Sequence, residues 1–242
     1  MFHNEIKEGA FFVADAHESE NKRRVFGKLL DEIYTEKLKP TQLFLMGDIF
    51  DVLIGSDRFC TLLWSEYIKK IDEIAQKIDI FYFEGNHDFD LQKIFSHVKI
   101  VTWQNQPLCF ICKDKKILLS HGDSFDKLSY KIYTYFIRSK VTIFFLNLFQ
   151  KVSNCKITRD LSKKLEKKNI CTKIHNFEKI VEDKIDKYKD CDYVVEGHYH
   201  QNISFMSKDK KYINLASFAC ENIYYAFTCK DEPKFIPQIF NQ

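Results

Sequence analysis

Five short clusters of acidic, histidine and asparagine side chains carry the residue types that bind metal ions. They are Asp15-Ala16-His17, Gly47-Asp48, Gly85-Asn86-His87-Asp88, His121-Gly122-Asp123 and Gly197-His198-Tyr199-His200. Five of the eight histidines lie in these clusters. One Asp-x-His or His-x-His pair alone is typical of a turn or a helix start, whereas five clusters together indicate a common site. Carboxylate, imidazole and amide ligands without a thiolate favour manganese, iron or zinc.

The clusters contain more ligands than one ion needs. Seven side chains qualify: Asp15, His17, Asp48, Asn86, His121, His198 and His200. If Asp48 bridges two ions, each ion receives four of these ligands, and positions remain for water and substrate. Two metals roughly 3.5–4 Å apart clamp the attacking and leaving oxygens of a phosphoryl displacement. The residue types therefore predict a two-metal hydrolytic centre.

Each cluster stands just after a predicted strand. Apolar runs at 10–14, 42–46 and 80–83 are typical of strands, and the stretches at 19–38 and 57–77 are typical of amphipathic helices. This alternation predicts parallel strands with helical crossovers. Because ligands bind beyond the carboxyl ends of the strands in α/β sheets, we expect the five clusters to converge.

The second half of the chain has a different pattern. Residues 125–190 contain no glycine or proline, and their apolar residues fall at helical spacing, which predicts two to four helices. Further strands are predicted at 108–112, 117–120, 193–195, 203–205, 212–215 and 224–228. Neither a repeat nor a Pro/Gly/Ser-rich linker divides the sequence. It therefore predicts one α/β domain over residues 1–242 with a helical insertion, the lid segment, at about 125–190.

The five clusters resemble, in order and spacing, the motifs of the calcineurin-like metallophosphoesterases. The resemblance implies a four-layer α/β/β/α sandwich. It also implies two ions, one bound by Asp15, His17 and His200, the other by Asn86, His121 and His198, with Asp48 shared between them. His87 would stabilise the transition state or protonate the leaving oxygen, and Asp88 would orient His87. Mn²⁺ is the expected ion, with iron or zinc as alternatives.

Within this family the chain is most similar to the UDP-2,3-diacylglucosamine diphosphatases of lipid A synthesis. The stretches GDIFDVLIGSD, GNHDFD and HGDSFD resemble theirs, and the last leads through Asp126 towards Tyr130, both candidate substrate contacts. The resemblance implies cleavage of the pyrophosphate of an acylated UDP-sugar. Three positions differ, because His87 stands where these enzymes usually have arginine, Leu53 replaces a tryptophan and Ser56 replaces an acid. Another phosphodiester or nucleotide substrate is therefore the alternative.

The lid segment is unusually apolar. Seven of its residues offer more apolar surface than one short helix needs: Phe136, Ile137, Ile143, Phe144, Phe145, Leu148 and Phe149. One interpretation is that they hold the alkyl chains of an acylated substrate, since each buried methylene contributes roughly 0.8 kcal/mol. The other is that the lid helices pack on each other and on the sheet.

Basic residues are concentrated at 151–189, where twelve Lys or Arg accompany six Asp or Glu. A solvated helical face is one interpretation. The other is attraction to an anionic membrane surface or to the substrate diphosphate. Five residues are candidates for phosphate contacts: Arg159, Lys163, Lys164, Lys167 and Lys168. Because the basic excess is confined to one segment, a nucleic-acid partner is not expected.

Composition limits the class of protein. The chain is 45% apolar and 15% aromatic, which excludes disorder. The longest apolar run, residues 141–149, is about half as long as a membrane span. The first nine residues carry charges and no apolar stretch, so a secretory signal is not expected.

The eight cysteines are expected to be reduced. The only close pair is Cys109 and Cys112, and their odd spacing puts them on opposite faces of a strand. A chain of this size has a large core and needs no disulfides, which favours a reducing compartment. The sequence therefore predicts a cytoplasmic protein, with peripheral attachment to the inner face of the inner membrane as a further expectation.

Overall fold

The computed structural model describes residues 4–19, 25–125, 128–153, 156–166 and 168–241, and at 128–131, 133, 140, 151–153 and 157 its description is limited to the backbone. The strands are β1 (Asn4–Glu5), β2 (Phe11–Val13), β3 (Gln42–Leu45), β4 (Leu53–Ile54), β5 (Asp79–Phe83), β6 (Asp88–Phe89), β7 (Lys99–Val101), β8 (Leu108–Cys112), β9 (Lys115–Ser120), β10 (Tyr193–Glu196), β11 (Ile203–Ser207), β12 (Lys210–Asn214), β13 (Ile223–Thr228) and β14 (Lys234–Ile239). The helices are α1 (Phe26–Tyr34), α2 (Arg58–Leu63), α3 (Ser65–Ala75), α4 (Leu128–Ile137), α5 (Lys140–Ser153), α6 (Lys156–Glu166), α7 (Phe177–Ile185) and α8 (Phe218–Glu221).

Two six-stranded sheets and a short β4–β6 pair organise these strands. The first sheet has the order β14-β13-β2-β3-β5-β7, in which β2, β3, β5 and β7 are parallel. The second has the order β1-β8-β9-β10-β12-β11, with β9, β10 and β12 parallel. In the registers, Val13 pairs with Leu45 and Leu45 with Tyr82, so these three strands end side by side.

Aromatic side chains fill the space between the two sheets. The rings of Phe44 and Phe81 stack with centroids 5.1 Å apart, and Phe110 of the second sheet meets Phe81 edge-on at 5.0 Å. All three are at least nine-tenths buried and belong to one apolar cluster that contains residues of both sheets. The alternation of strand side chains explains this packing, because every second residue points into the layer between the sheets.

Helices cover the outer faces of both sheets. Helix α1 buries Phe26, Leu29, Leu30 and Ile33, a helical spacing that forms one apolar stripe against the first sheet. Helix α7 packs Phe177, Val181 and Ile185 on Leu118 and Val194 of the second sheet. The layers therefore run helix, sheet, sheet, helix, and the predicted α/β/β/α sandwich is confirmed.

The predicted helix at 57–77 is divided in two. Helix α2 begins after Asp57, whose carboxylate accepts the backbone N–H of Phe59 at 2.8 Å as an N-cap. The break falls at Trp64, which adopts φ −99° and ψ 13°. Its indole Nε1 donates to the carbonyl of Val52 over 3.0 Å. A buried tertiary contact thus ends a helix that the sequence periodicity would continue.

The lid helices, which we define as α4, α5 and α6, carry much of their apolar surface outside. Of the seven apolar lid residues, Ile143 is buried and Ile137 is half-buried. The other five are between 48% and 67% exposed: Phe136, Phe144, Phe145, Leu148 and Phe149. Packing on the sheet therefore accounts for only a minority of this surface. None of the helices in the described ranges is both long and apolar enough to cross a membrane.

The expectation of reduced cysteines is wrong for four of them. Disulfides join Cys112 to Cys229 and Cys171 to Cys220, across 117 and 49 residues of sequence. Spacing along the chain could not reveal these pairs, because it is the tertiary fold that brings their segments together. The opposite-face expectation is confirmed, since Cys112 is buried and Cys109 is exposed on the same strand.

Candidate metal centre

The five polar clusters begin within two residues of the ends of β2, β3, β5, β9 and β10. Several of their residues have left-handed backbone, among them Asp15 and Asp48, both with φ 51°. Such backbone costs of order 1–3 kcal/mol per non-glycine residue and is typical of functional sites. Gly85 permits the close approach of two of these loops, because a side chain there would collide with the carboxylate of Asp48.

Asp15, His17 and His200 form the first group of metal-ligand atoms, which lie within 4.8 Å of one another. Nε2 of His200 is 3.2 Å from Oδ1 of Asp15. Nδ1 of His200 donates to the carbonyl of Ile170 at 2.6 Å, which leaves Nε2 to face the group. Burial opposes ionisation of Asp15, but the nearby His200 holds its pKa below the ordinary value.

His17 supplies a buried atom that fits a metal. Its Nδ1 is 3.1 Å from Oδ1 of Asp51, a contact that orients the ring. Its Nε2 is buried and, among the residues that the structure describes, has no hydrogen-bond partner. A buried polar nitrogen that makes no hydrogen bond destabilises the folded protein. Binding of a cation at this atom would satisfy it.

Asp48, His121 and His198 form another group of ligand atoms within 4.8 Å of one another, and Asn86 joins it. Nε2 of His121 lies 3.6 Å from Oδ2 of Asp48, 3.3 Å from Oδ1 of Asn86 and 3.2 Å from Nδ1 of His198. Nδ1 of His121 donates to the carbonyl of Met46 over 3.0 Å. Carboxylate, amide and imidazole atoms therefore converge on one point.

Electrostatics favour a positive charge at that point. Burial opposes protonation of His121, but the Asp48 carboxylate raises the pKa of this ring to about 9. Burial and the charge of His121 lower the pKa of His198 to about 3. Burial also opposes ionisation of Asp48, yet the surrounding histidines, His87 first, hold its pKa well below the usual range. The donor set thus fits a metal cation.

His87 lies on the same side of the centre. His17, Asp48 and His87 form a third group, so that Asp48 belongs to two of the three groups. Nε2 of His87 is 3.8 Å from Oδ2 of Asp48. Its Nδ1 donates to the backbone carbonyl of Asp51 at 2.8 Å. The geometry leaves Nε2 directed at the region between the ligands.

The contacts of Asp88 differ from those expected. Its carboxylate accepts the backbone N–H groups of Asp48 at 3.0 Å, Ile49 at 2.7 Å and Gly85 at 2.8 Å, together with the hydroxyl of Tyr82 at 2.6 Å. Burial, together with the charge of Asp48, raises the pKa of Asp88. Asp88 therefore fixes the loop that carries Asp48, and it is Asp51 that orients His87. Asp51 follows Asp48 by three residues, a spacing that does not by itself indicate a role in orienting a histidine.

A buried ion pair supports the segment that leads into Gly197 and His198. Nζ of Lys184, on α7, is 2.6 Å from Oε2 of Glu196, and both side chains are at most 5% exposed. The hydroxyl of Tyr212 donates to the same carboxylate at 2.6 Å. Glu196 ends β10, directly before Gly197 and His198. Lys184 belongs to the basic segment at 151–189. The sequence pattern of this segment does not distinguish a buried lysine from the solvated ones.

The candidate substrate contacts are only partly described. Asp126 and Lys167 lie outside the described residues, and Tyr130 lies on α4 with its backbone alone described. Arg159 is half-buried, its guanidinium carbon 5.4 Å from the ring centroid of Phe59. Lys163, Lys164 and Lys168 are exposed. Of the described candidates, Arg159, Lys163, Lys164 and Lys168 take no part in the contacts that form the metal centre.

A cavity of about 280 Å³ opens between the centre and the lid helices. At one end it is lined by Asp51, Asn86 and His87. Its walls are mostly apolar: Val52, Ile54, Phe89, Ile137, Thr142, Leu146, Leu161 and Leu165. The cavity therefore places apolar lid residues beside the polar residues of the centre.

Known proteins resemble this chain in sequence. A family model described as calcineurin-like phosphoesterase matches residues 11–202. The UDP-2,3-diacylglucosamine hydrolase of Histophilus somni (strain 129Pt) is 28% identical over 208 residues, which cover 80% of this chain and 85% of that protein. The protein of the same name from Psychromonas ingrahamii is 32% identical over 115 residues, 47% of this chain and 46% of its own. Among solved structures, a dimetal phosphatase from Danio rerio aligns over 95% of this chain and 98% of its own, with 12% identity and a TM-score of 0.47. The match of the family model over most of the chain shows that this protein belongs to the calcineurin-like phosphoesterases.

Proposed function

We propose that the protein hydrolyses the pyrophosphate of UDP-2,3-diacylglucosamine to UMP and 2,3-diacylglucosamine 1-phosphate. The observation that carries the proposal is the cavity that joins His87 and Asn86 to apolar lid residues. A substrate with a diphosphate beside acyl chains matches a polar end that continues into apolar walls. The names of the relatives from Histophilus and Psychromonas also support this substrate class.

The metal-binding part of the proposal assigns each ligand. Asp15, His17 and His200 would hold one ion, Asn86, His121 and His198 the other, and Asp48 would be shared. Nε2 of His17 has no hydrogen-bond partner within the described ranges, and this atom and the convergence on His121 support the assignment. Divalent ions there, with Mn²⁺ expected and iron or zinc as alternatives, would activate water and neutralise charge on the phosphoryl oxygens.

His87 supplies the proton-transfer group in this proposal. Its Nδ1 is committed to the carbonyl of Asp51, so Nε2 is the atom that faces substrate. A protonated Nε2 would donate to the leaving oxygen or to the transferring phosphoryl group. Asp88 has an indirect role in this proposal, because its four contacts hold the loops of Asp48 and Gly85 in place.

Acyl chains would lie along the cavity walls. In this proposal residues 1–242 form one domain and the lid segment covers its active site. Leu146, Leu161 and Leu165 of the lid helices line the cavity together with Ile54 and Phe89. At roughly 0.8 kcal/mol per buried methylene, even a short length of acyl chain contributes substantially to binding. Asp126, Tyr130 and the basic candidates, Arg159, Lys163, Lys164, Lys167 and Lys168, would serve the sugar and diphosphate.

The outer surface of the lid helices fits a membrane. Eight large apolar residues of α4 and α5 are between 48% and 67% exposed: Ile132, Tyr135, Phe136, Val141, Phe144, Phe145, Leu148 and Phe149. The basic segment follows directly, with Lys163, Lys164 and Lys168 exposed. Apolar burial together with attraction to anionic lipid would hold the protein on a membrane surface. We propose peripheral attachment on the cytoplasmic side, where an acylated substrate is presented.

A second phosphodiester substrate is favoured by one observation. His87 occupies the position where the diacylglucosamine enzymes usually have arginine, and histidine is the residue of the wider family. A smaller nucleotide diester would need the metal centre and His87 but not the apolar cavity. Activity that is independent of acyl chains would therefore support this alternative.

The test is release of UMP from UDP-2,3-diacylglucosamine by the purified protein with Mn²⁺, repeated with a chelator. UDP-glucosamine without acyl chains is the matched control substrate. We expect chelator-sensitive UMP release that is much faster with the acylated substrate. Equal rates on both substrates would contradict the acyl specificity, and so would hydrolysis of only a generic chromogenic phosphodiester. Either result would indicate a phosphoesterase that acts on a different substrate.

A further inference from the structure

Arg138 connects the lid helices to the loop that bears Asn86 and His87. It lies between α4 and α5, and its side chain is only 7% exposed. Nη1 is 3.2 Å from Oε2 of Glu84, and Nη2 donates to the backbone carbonyl of Gly85 at 2.6 Å. These two residues directly precede Asn86 and His87. A lid residue is therefore in contact with the segment that carries a candidate ligand and the candidate acid.

The backbone of Arg138 is held by local contacts. Its N–H donates to the carbonyl of Thr134 at 3.2 Å. Ser139 accepts the N–H of Thr142 at 3.1 Å, the N-cap contact at the start of α5. The hydroxyl of Thr142 donates to the carbonyl of Phe136 at 2.7 Å. The junction between the two helices is thus fixed by its own hydrogen bonds.

Aromatic rings fix the guanidinium group. Its central carbon lies 5.0 Å from the ring centroid of Phe89 and 5.8 Å from that of Trp103. Phe89 also lines the cavity below the lid helices. A planar guanidinium holds its donors in a fixed fork while its faces contact rings, a geometry that the compact ammonium group of lysine does not reproduce. The observed contacts therefore favour arginine over lysine at this position.

We infer that Arg138 is a positioning residue for Asn86 and His87, acting through the carbonyl of Gly85. The inference rests on the roles that the proposed function gives to those two residues. Because glycine has the widest backbone freedom of any residue type, a partner for the Gly85 carbonyl restricts the peptide that leads into Asn86. The lid helices thereby contribute to the metal centre itself, in addition to lining the cavity.

The test compares Arg138→Lys with Glu84→Gln. The lysine variant keeps the charge but loses the fixed fork that reaches both Glu84 and Gly85, whereas the glutamine variant keeps the contact of Arg138 with Gly85. Mn²⁺ alone is titrated calorimetrically into the metal-free proteins, and hydrolysis of bis(p-nitrophenyl) phosphate is measured at saturating Mn²⁺. For Arg138→Lys we expect affinity for at least one Mn²⁺ and kcat to fall by about 10- to 100-fold, with KM little changed. Glu84→Gln should change both quantities much less.

Controls separate positioning from folding. Arg58→Met removes an exposed arginine of α2 and should behave as the wild type. Circular dichroism and urea unfolding establish that each variant folds. If Arg138→Lys does not fold, Arg138→Met combined with Glu84→Gln removes both buried charges, so that neither is left unpaired. That double variant is expected to lose Mn²⁺ affinity in the same way.

Two results would overturn the inference. One is wild-type Mn²⁺ affinity and kcat in Arg138→Lys or in the folded double variant. The other is equal loss in Arg138→Lys and Glu84→Gln, which would assign the effect to the ion pair alone. Failure of the wild type on the acylated substrate would contradict the proposed function and leave the Mn²⁺ titration interpretable. A wild type that binds no Mn²⁺ would overturn both.

Discussion

Nδ1 of His87 donates a hydrogen bond to the backbone carbonyl of Asp51 over 2.8 Å, while the carboxylate of Asp51 meets Nδ1 of His17 at 3.1 Å. One residue therefore orients two rings of the centre, one through its main chain and one through its side chain. Because a carbonyl oxygen only accepts, His87 keeps its proton on Nδ1. Substitution at position 51 can disturb His17 without removing the partner of His87.

Replacement of His87 tests its assignment as the proton-transfer group. For His87→Ala we expect turnover to fall by roughly 10²- to 10⁴-fold, the contribution typical of a positioned acid or base. Metal content, measured by atomic absorption, should stay as in the wild type. His97→Ala is the control, because His97 is exposed and contacts Asp72 on the surface. Loss of metal in His87→Ala would make His87 a ligand instead.

Replacement of Asp51 tests the support of His17. For Asp51→Ala we expect Mn²⁺ affinity at the His17 site to fall by about 10- to 100-fold, as when other outer partners of metal ligands are removed. Calorimetric titration measures this affinity. Asp72→Ala is a matched control, since it removes an aspartate–histidine contact of 2.8 Å outside the centre. Unchanged affinity in Asp51→Ala would show that His17 is oriented without this carboxylate.

Replacement of Asp48 tests the shared ligand. Asp48→Asn keeps an oxygen for the N–H of His87, which Asp48 accepts at 2.8 Å, but removes the negative charge. We expect both ions to bind weakly and turnover to be lost, with the fold retained by circular dichroism. Asp48→Ala should give the same loss. Near-normal turnover in either variant would contradict a two-metal mechanism.

The convergence of the five clusters could be predicted because it depends on local pattern. Strand runs and the polar residues after them are close in sequence, and parallel strands bring their ends together. β2, β3 and β5 lie close to the predicted runs at 10–14, 42–46 and 80–83. The short strands β4 and β6 have no such pattern, because each contains only two residues and pairs far along the chain.

The supports of the centre could not be predicted because they depend on tertiary contacts. Lys184 is a lysine in a basic segment by sequence, and only the fold places it against Glu196. Arg138 lies 53 residues from its partner Gly85. The disulfides likewise join segments that only the fold brings together. Residue type and spacing thus identify candidate ligands, whereas the residues that hold them are selected by packing.

Asp57, the N-cap of α2, contacts residues of both α5 and α6. Its Oδ2 accepts the amide of Gln150 at 2.6 Å and the hydroxyl of Thr158 at 2.7 Å, and all three residues are buried. For Asp57→Ala we expect the free energy of unfolding to fall by about 2–4 kcal/mol, because an N-cap is lost and two buried polar groups lose a partner.

Urea denaturation measures the effect of this change. Asp31→Ala is the control, since Asp31 is exposed and pairs with Lys70 on the surface, where such pairs contribute about 0–1 kcal/mol. Asp57→Asn, which retains a cap oxygen, should fall between the two. Equal stability of Asp57→Ala and Asp31→Ala would mean that α5 and α6 are held by other contacts.

Leu161 provides the most direct test of acyl binding in the cavity. It lines the cavity on α6 and is 43% exposed, so a polar substitution there has little effect on the core. For Leu161→Asp we expect KM for the acylated substrate to rise about tenfold, which corresponds to the lost burial of about two methylenes. The rate on bis(p-nitrophenyl) phosphate should not change.

Leu62→Asp is the matched control, because Leu62 is 64% exposed on α2 and does not line the cavity. An unchanged KM in Leu161→Asp would show that acyl chains do not use this wall, and a slower rate on the small diester would show instead that the substitution disturbs the metal centre.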